Sequence, residues 1–186
     1  MFARLLKGWL RKKLAAFERE YAYDASYLHE VLDTDPEALL RFSKVMGLSR
    51  YRKRVSRDAW YAAKLAGTLG EDCGPCTQLV VTMAEREGVA PAVIRAVLAG
   101  EEAGMSEDAR LGWRFARAAL AHDPAADDLR EQVLSRWGRQ GLLSLALAVT
   151  ASRLYPTLKY ALGHGQACVR VSVAGQPVAV AQPVTA

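Results

Sequence analysis

The chain reads as an all-α protein assembled from many helices, and three observations predict this. Apolar residues recur with a period near 3.6 in one segment after another. Most of these segments open at Ser, Asp or Pro and stop at Gly, which is the punctuation of helices. Only "CVRVSV" (168–173) alternates as a half-buried strand does, and no clean partner strand stands beside it. A chain of 186 residues with 51% hydrophobic content can hold one domain with a substantial core, or one domain with a helical extension.

The first helix is expected in "FARLLKGWLRKKLAAF", where Phe2, Leu5, Leu6, Trp9, Leu10 and Leu14 form one stripe with basic residues opposite. Such a stripe suits packing on its own domain or on a partner subunit better than a membrane surface. "DTDPEALLRFSKVM" opens with acidic caps and Pro36 in the first turn, and Gly47 stands where a C-cap would. "SRDAWYAAKLAGTL" starts at Ser56 as N-cap and ends at Gly70. "TQLVVTMAEREG" continues to Gly88, and "APAVIRAVLAG" repeats the Pro start and Gly stop. "SEDARLGWRFARAALA" opens at Ser106 and "DPAADDLREQVLSRWG" at Asp123 and Pro124. A long apolar helix follows from about Leu142 to Leu162, and Pro156 is expected to kink or divide it. Trp60, Trp113 and Trp137, at helical spacing among apolar neighbours, are expected in the core. "AGQPVAVAQPVTA" is low in complexity and is expected to be loosely ordered.

The net charge of +5 lies entirely in residues 1–60, which carry 13 Lys/Arg against 8 Asp/Glu, while the remainder balances at 12 against 12. Its densest piece, "RYRKRVSR" (50–57), reads as solvated helix ends and a linker rather than a nucleic-acid surface. Arg4, Lys7, Arg11, Lys12 and Lys13 interrupt the apolar residues of the N-terminus, so it does not read as a secretory signal. The most apolar run, "GLLSLALAVTAS", is shorter than the roughly 20 residues that cross a bilayer. Three cysteines are too few for a disulfide scaffold. The expectation is a cytoplasmic chain with neither membrane nor nucleic-acid partner.

The chemistry concentrates in "EDCGPCTQ". Thioredoxins place C-G-P-C after a β-strand, whereas the segment before it here has helix period, so this is not a thioredoxin. With Gly70 ending one helix and Pro75 suited to the first turn of the next, Cys73 and Cys76 fall at a helix N-terminus. Unpaired backbone N–H groups and the helix dipole stabilise a thiolate there. Asp72 reads as the N-cap, and Glu71 as either a general base or a helix-capping acid. His164 is a second candidate base, or an ordinary helix-terminal histidine. Together with Cys73, Cys76 and Cys168 it would make a Cys3His zinc set, but the dithiol reading is preferred and no metal is expected. His29 and His122 read as surface residues. No nucleotide, flavin or haem motif is visible, so no cofactor is expected.

"EDCGPCTQLVVTMAEREGVAPAVIRAVLAGE", followed by "RLGWRFARAALAHDP", resembles the carboxymuconolactone decarboxylase and alkylhydroperoxidase D-like family over residues 55–168. On this basis residues 1–54 are an N-terminal helical extension and 169–186 a C-terminal tail. The resemblance implies an all-α domain, homo-oligomers such as trimers or hexamers, and thiol-dependent reduction of a hydroperoxide substrate with electrons from a separate thiol donor. It also implies that Cys76 attacks and Cys73 resolves, whereas thioredoxin logic reverses these roles. Two positions depart from the pattern: Val80 stands where redox members have His, and Tyr61 where they have Glu. Glu71 and His164 are the substitutes the sequence offers. The alternative is a non-enzymatic helical oligomer with a structural or redox-sensing role.

Overall fold

The computed structural model describes residues 2–165 and 171–180. In chain order these form α1 (Phe2–Tyr21), α2 (Ser26–Thr34), α3 (Pro36–Ser43), α4 (Val45–Ser49), α5 (Arg57–Gly70), α6 (Gly74–Arg86), α7 (Pro91–Ala99), α8 (Glu107–Leu120) and α9 (Ala126–Ala161), then β1 (Val171–Val173) and β2 (Gln176–Val178). The architecture is all-α, as the periodicity predicts.

α5 is the central element because its sequence leaves it no polar face: every residue from Ala59 to Leu69 is buried. Ser56 starts it, its Oγ accepting the Ala59 N–H at 3.3 Å. α8 packs along one side, capped by Ser106, whose Oγ accepts the Ala109 N–H at 3.3 Å and donates to Asp58 Oδ2 at 2.7 Å. Gly112 of α8 lies so close to α5 that a Cβ there would overlap the Ala59 carbonyl. The second half of α9 packs on α5 as well, with Ser152 facing Gly67. Trp60 and Trp113 are buried in this main core, and Trp137 packs at its edge.

The N-terminal helices build a second, smaller core from Leu10, Tyr23, Tyr27, Leu28, Leu32 and Leu39, with Leu79 of α6 and Tyr155 and Leu158 of α9 packed against it. Asp33 of α2 accepts from both Lys7 and Arg11 of α1, and Arg86 of α6 pairs with Glu20 at 3.2 Å. α1 thus spends part of its stripe on its own chain: Leu10 is buried, whereas Leu5 and Trp9 are exposed.

Three expectations are corrected. The helix expected to end at Gly47 is two helices meeting at Lys44, with Gly47 inside α4. Pro156 does not divide α9, which runs on to Ala161; the interruption falls at Gly138 (φ 66°, ψ −174°), a conformation open to a residue without Cβ, between the two segments that the sequence reads as separate helices. The tail is not loosely ordered over 171–178, where β1 and β2 pair antiparallel through a two-residue turn at Ala174 and Gly175, both with positive φ. The hairpin is fixed from outside: the Gln78 amide exchanges two hydrogen bonds with the Ser172 backbone at 2.7 and 3.0 Å, and Val171 and Val173 are buried. By length and composition α9 is apolar enough to cross a bilayer, a helix longer than the run 141–152 suggests; 44% of its apolar window is buried inside the fold, as in the core helix of a soluble protein.

Candidate functional site

The dithiol sits in the tight connection between α5 and α6. Glu71 caps the C-terminus of α5, Asp72 turns the chain with φ 48°, and Cys73 takes extended φ/ψ as the N-cap of α6, with Pro75 in the first turn. The N-cap is therefore Cys73 and not Asp72. Its carbonyl accepts from the Thr77 N–H at 2.9 Å and the Thr77 hydroxyl at 3.0 Å, and the Tyr160 hydroxyl holds the Asp72 carbonyl at 2.9 Å. This conformation brings the two cysteine Cα atoms to 5.3 Å, and Cys73 and Cys76 are joined as a disulfide. Both are buried. The pair thus has the geometry of redox chemistry at a helix N-terminus.

A cavity of about 830 Å³ opens between the N-terminal helices and the wall made by α5, α6 and α9. Cys76 lines it and Cys73 does not. Tyr61 and Val80 also lie on this wall. The Tyr61 hydroxyl donates to Glu87 Oε1 at 2.9 Å, and Glu87 Oε2 pairs with Arg52 at 3.1 Å. Burial, followed by the hydrogen bond and charge of Glu87, raises the Tyr61 phenol above its ordinary value.

Lys64 is the unexpected member of the site. It is only 7% exposed, lines the cavity, and holds its Nζ 3.7 Å from the Trp60 ring centroid and 5.8 Å from that of Tyr61. Among the described residues it has no hydrogen bond and no ion pair. Burial pushes its ammonium down to about 7, Arg50 and Arg52 push the same way, and the charge of Glu87 opposes them. The sequence did carry a signal: Lys64 is the one charged residue between Ala59 and Gly70. A helix apolar all round is buried, so its single lysine had to be buried with it.

The other candidate residues lie elsewhere. Glu71 is engaged with Arg153 of α9, with the Thr157 hydroxyl at 3.4 Å. His164 reaches Glu30 of α2 at 2.7 Å and the Ser26 hydroxyl at 3.4 Å. Neither is part of the cavity wall. Cys168, the fourth member of the alternative zinc set, lies outside the described residues. His29 pairs with Glu18 at 3.1 Å, and His122 is exposed.

Comparison of the chain with family models, with curated proteins and with solved structures finds no match in any of the three.

Proposed function

We propose that the protein is a thiol-dependent oxidoreductase of the alkylhydroperoxidase D-like type, which reduces hydroperoxides through Cys76 and Cys73. The observation that carries this reading is the asymmetry of the pair: Cys76 faces the cavity, and its partner stands behind it within disulfide reach. The Cys76 thiolate attacks the distal oxygen of the hydroperoxide and the O–O bond breaks. Sulfur is oxidised to the sulfenic acid, and the alkoxide takes a proton and leaves as the alcohol. The Cys73 thiol then attacks the Cys76 sulfur and expels water, forming the disulfide. A separate dithiol donor returns two electrons and two protons, and is itself oxidised to a disulfide. The exposed Leu5 and Trp9 of α1 support a homo-oligomer, a trimer or hexamer, which a light-scattering mass near 20.3 kDa at all concentrations would overturn.

Peroxide consumption by single-cysteine variants tests the chemistry. Cys76→Ser should abolish consumption, while Cys73→Ser should consume one equivalent and trap the sulfenic acid on Cys76. Parental turnover in both variants, with a dithiol donor supplied, would refute the proposal. The second reading, a redox-sensing oligomer, is favoured by Tyr61 and Val80, since neither can relay a proton as Glu and His do. It predicts disulfide formation by stoichiometric peroxide without turnover.

A further inference from the structure

We infer that the cavity is a binding site for an amphiphile with one anionic head group, a carboxylate in the simplest case, seated on Lys64, and an extended apolar tail. The inference stands independently of the peroxidase reading.

It rests on an inventory of the buried polar side chains on the cavity wall. The Tyr23 hydroxyl donates to that of Tyr27 at 3.4 Å, and the Tyr61 hydroxyl to Glu87 at 2.9 Å. The Thr68 hydroxyl donates to the Leu65 carbonyl at 3.2 Å, the Ser152 hydroxyl to the Val149 carbonyl at 2.8 Å, and the Trp60 indole N–H to the Tyr51 carbonyl at 3.2 Å. Each of these is satisfied within the protein. Lys64 has three N–H donors and, among the described residues, no acceptor; the side chain is only 7% exposed, and what Nζ reaches is the open space of the cavity. An ammonium held largely out of water with no hydrogen-bonded counter-charge is disfavoured. The ring faces of Trp60 and Tyr61 offset only part of that penalty. Among the buried side chains of the wall Lys64 is therefore the one cation, and the exposed Arg50 guanidinium on the same lining adds to the attraction for an anion.

The rest of the lining dictates the tail. Leu10, Leu28, Leu39 and Leu79 present apolar surface, and the volume of about 830 Å³ lies within the range that holds a whole small-molecule ligand. Lys13, Glu20 and Arg86 belong to the same lining yet are exposed, so they mark where the cavity meets solvent. A small anion such as acetate would satisfy Lys64 and leave the apolar wall wet. A neutral alkane would fill the wall and leave Lys64 unpaired. An alkyl carboxylate does both.

Isothermal titration of the oxidised protein separates these cases, because the disulfide form cannot consume peroxide and the result is independent of turnover. Dodecanoate should bind at least ten-fold more tightly than dodecanol, and acetate should not bind measurably. Lys64→Met should remove the preference for the acid while dodecanol still binds. The comparison of acid with alcohol on the parent protein needs no variant, so it holds even if Lys64→Met failed to fold. Equal affinity for acid and alcohol, or no dodecanoate binding at millimolar concentration, would overturn the inference. So would a Lys64→Met protein that kept the full preference for the acid.

Discussion

Where α5 meets α8 the two backbones touch, because Gly112 admits no Cβ against the Ala59 carbonyl. Where the same helix meets the N-terminal helices, it turns Trp60, Tyr61, Lys64 and Thr68 toward about 830 Å³ of space. One helix therefore carries a side packed to contact and a side held open. Facing helices ordinarily close on one another at interior density, so a solvent-open space of this size against a central helix is a departure from what packing alone would select. The charge pattern agrees: Ala59, Leu65 and Gly67, packed to contact, are uncharged, whereas the open side holds the one lysine in the run from Ala59 to Gly70. Stability comes from the first side, and the chemistry in our proposal uses the second.

That contrast can be broken by experiment, and the largest effect is expected on the closed side. Gly112→Ala drives a methyl group into the backbone of a central helix, which cannot yield as a flexible side chain would. We expect a loss of about 3 kcal/mol or more in urea denaturation. A near-neutral result would mean that α5 and α8 are less closely held than the geometry requires.

Lys64→Met should do the opposite and stabilise the fold. A fall from the ordinary 10.5 to about 7 means that the folded chain carries this ammonium at a penalty below pH 7. One pKa unit corresponds to about 1.4 kcal/mol, which sets an upper bound of about 5 kcal/mol; replacing buried charge by apolar side chains gains about 1–4 kcal/mol, so the variant should gain roughly 2–4 kcal/mol at pH 6. Between pH 7 and 10.5 the unfolded chain holds the proton and the folded chain does not, so parental stability rises with pH and the gap narrows. A constant gap across that range would show that Lys64 is not the group responsible. A variant that is more stable but has lost its ligand would be the usual mark of a residue kept for function.

On the open side, Leu39→Ala enlarges a space that already exists, so its loss should fall at the low end for such a change, about 2 kcal/mol. Leu65→Ala, in the main core, should exceed it. Equal losses would remove the distinction between the two sides of α5.

The helices were legible because their signals are local. Ser56, Ser106 and Gly100 cap the helices that their neighbours in sequence predict, and the dithiol falls at a helix start because Gly70 and Pro75 frame it. The hairpin was not legible. β2 is "QPV", three residues with a proline and no alternation, and the hairpin is held through β1 and the turn, where Ser172 and Ala174 bond to Gln78 and Glu85, about ninety residues earlier in the chain. The cavity was invisible for the same reason, since it is the space between elements distant in sequence. Glu71 and His164 were singled out for their chemistry, but where a side chain turns is decided by a tertiary partner: Arg153 holds one and Glu30 the other. Lys64 lay between, legible in principle from the fully apolar helix around it.

The smallest effect concerns Glu71, and it bears on which groups serve Cys76. Glu71 ties the connection between α5 and α6 to α9 through Arg153, a residue about half exposed, and such pairs contribute little to stability. Glu71→Gln should therefore lower stability by roughly 1 kcal/mol or less, and Arg153→Ala should match it. The double variant should lose no more than either single one, since the two changes remove the same contact. If Glu71 does nothing else, the pH profile of peroxide consumption stays unchanged. A base that generates the Cys76 thiolate would instead show its loss most strongly below the thiol pKa, where the proton must be removed. Arg153→Ala sharpens the distinction, because it frees the Glu71 carboxylate without deleting it. An anchoring role predicts that both variants behave alike, whereas a catalytic one predicts a rate loss in Glu71→Gln that Arg153→Ala does not share.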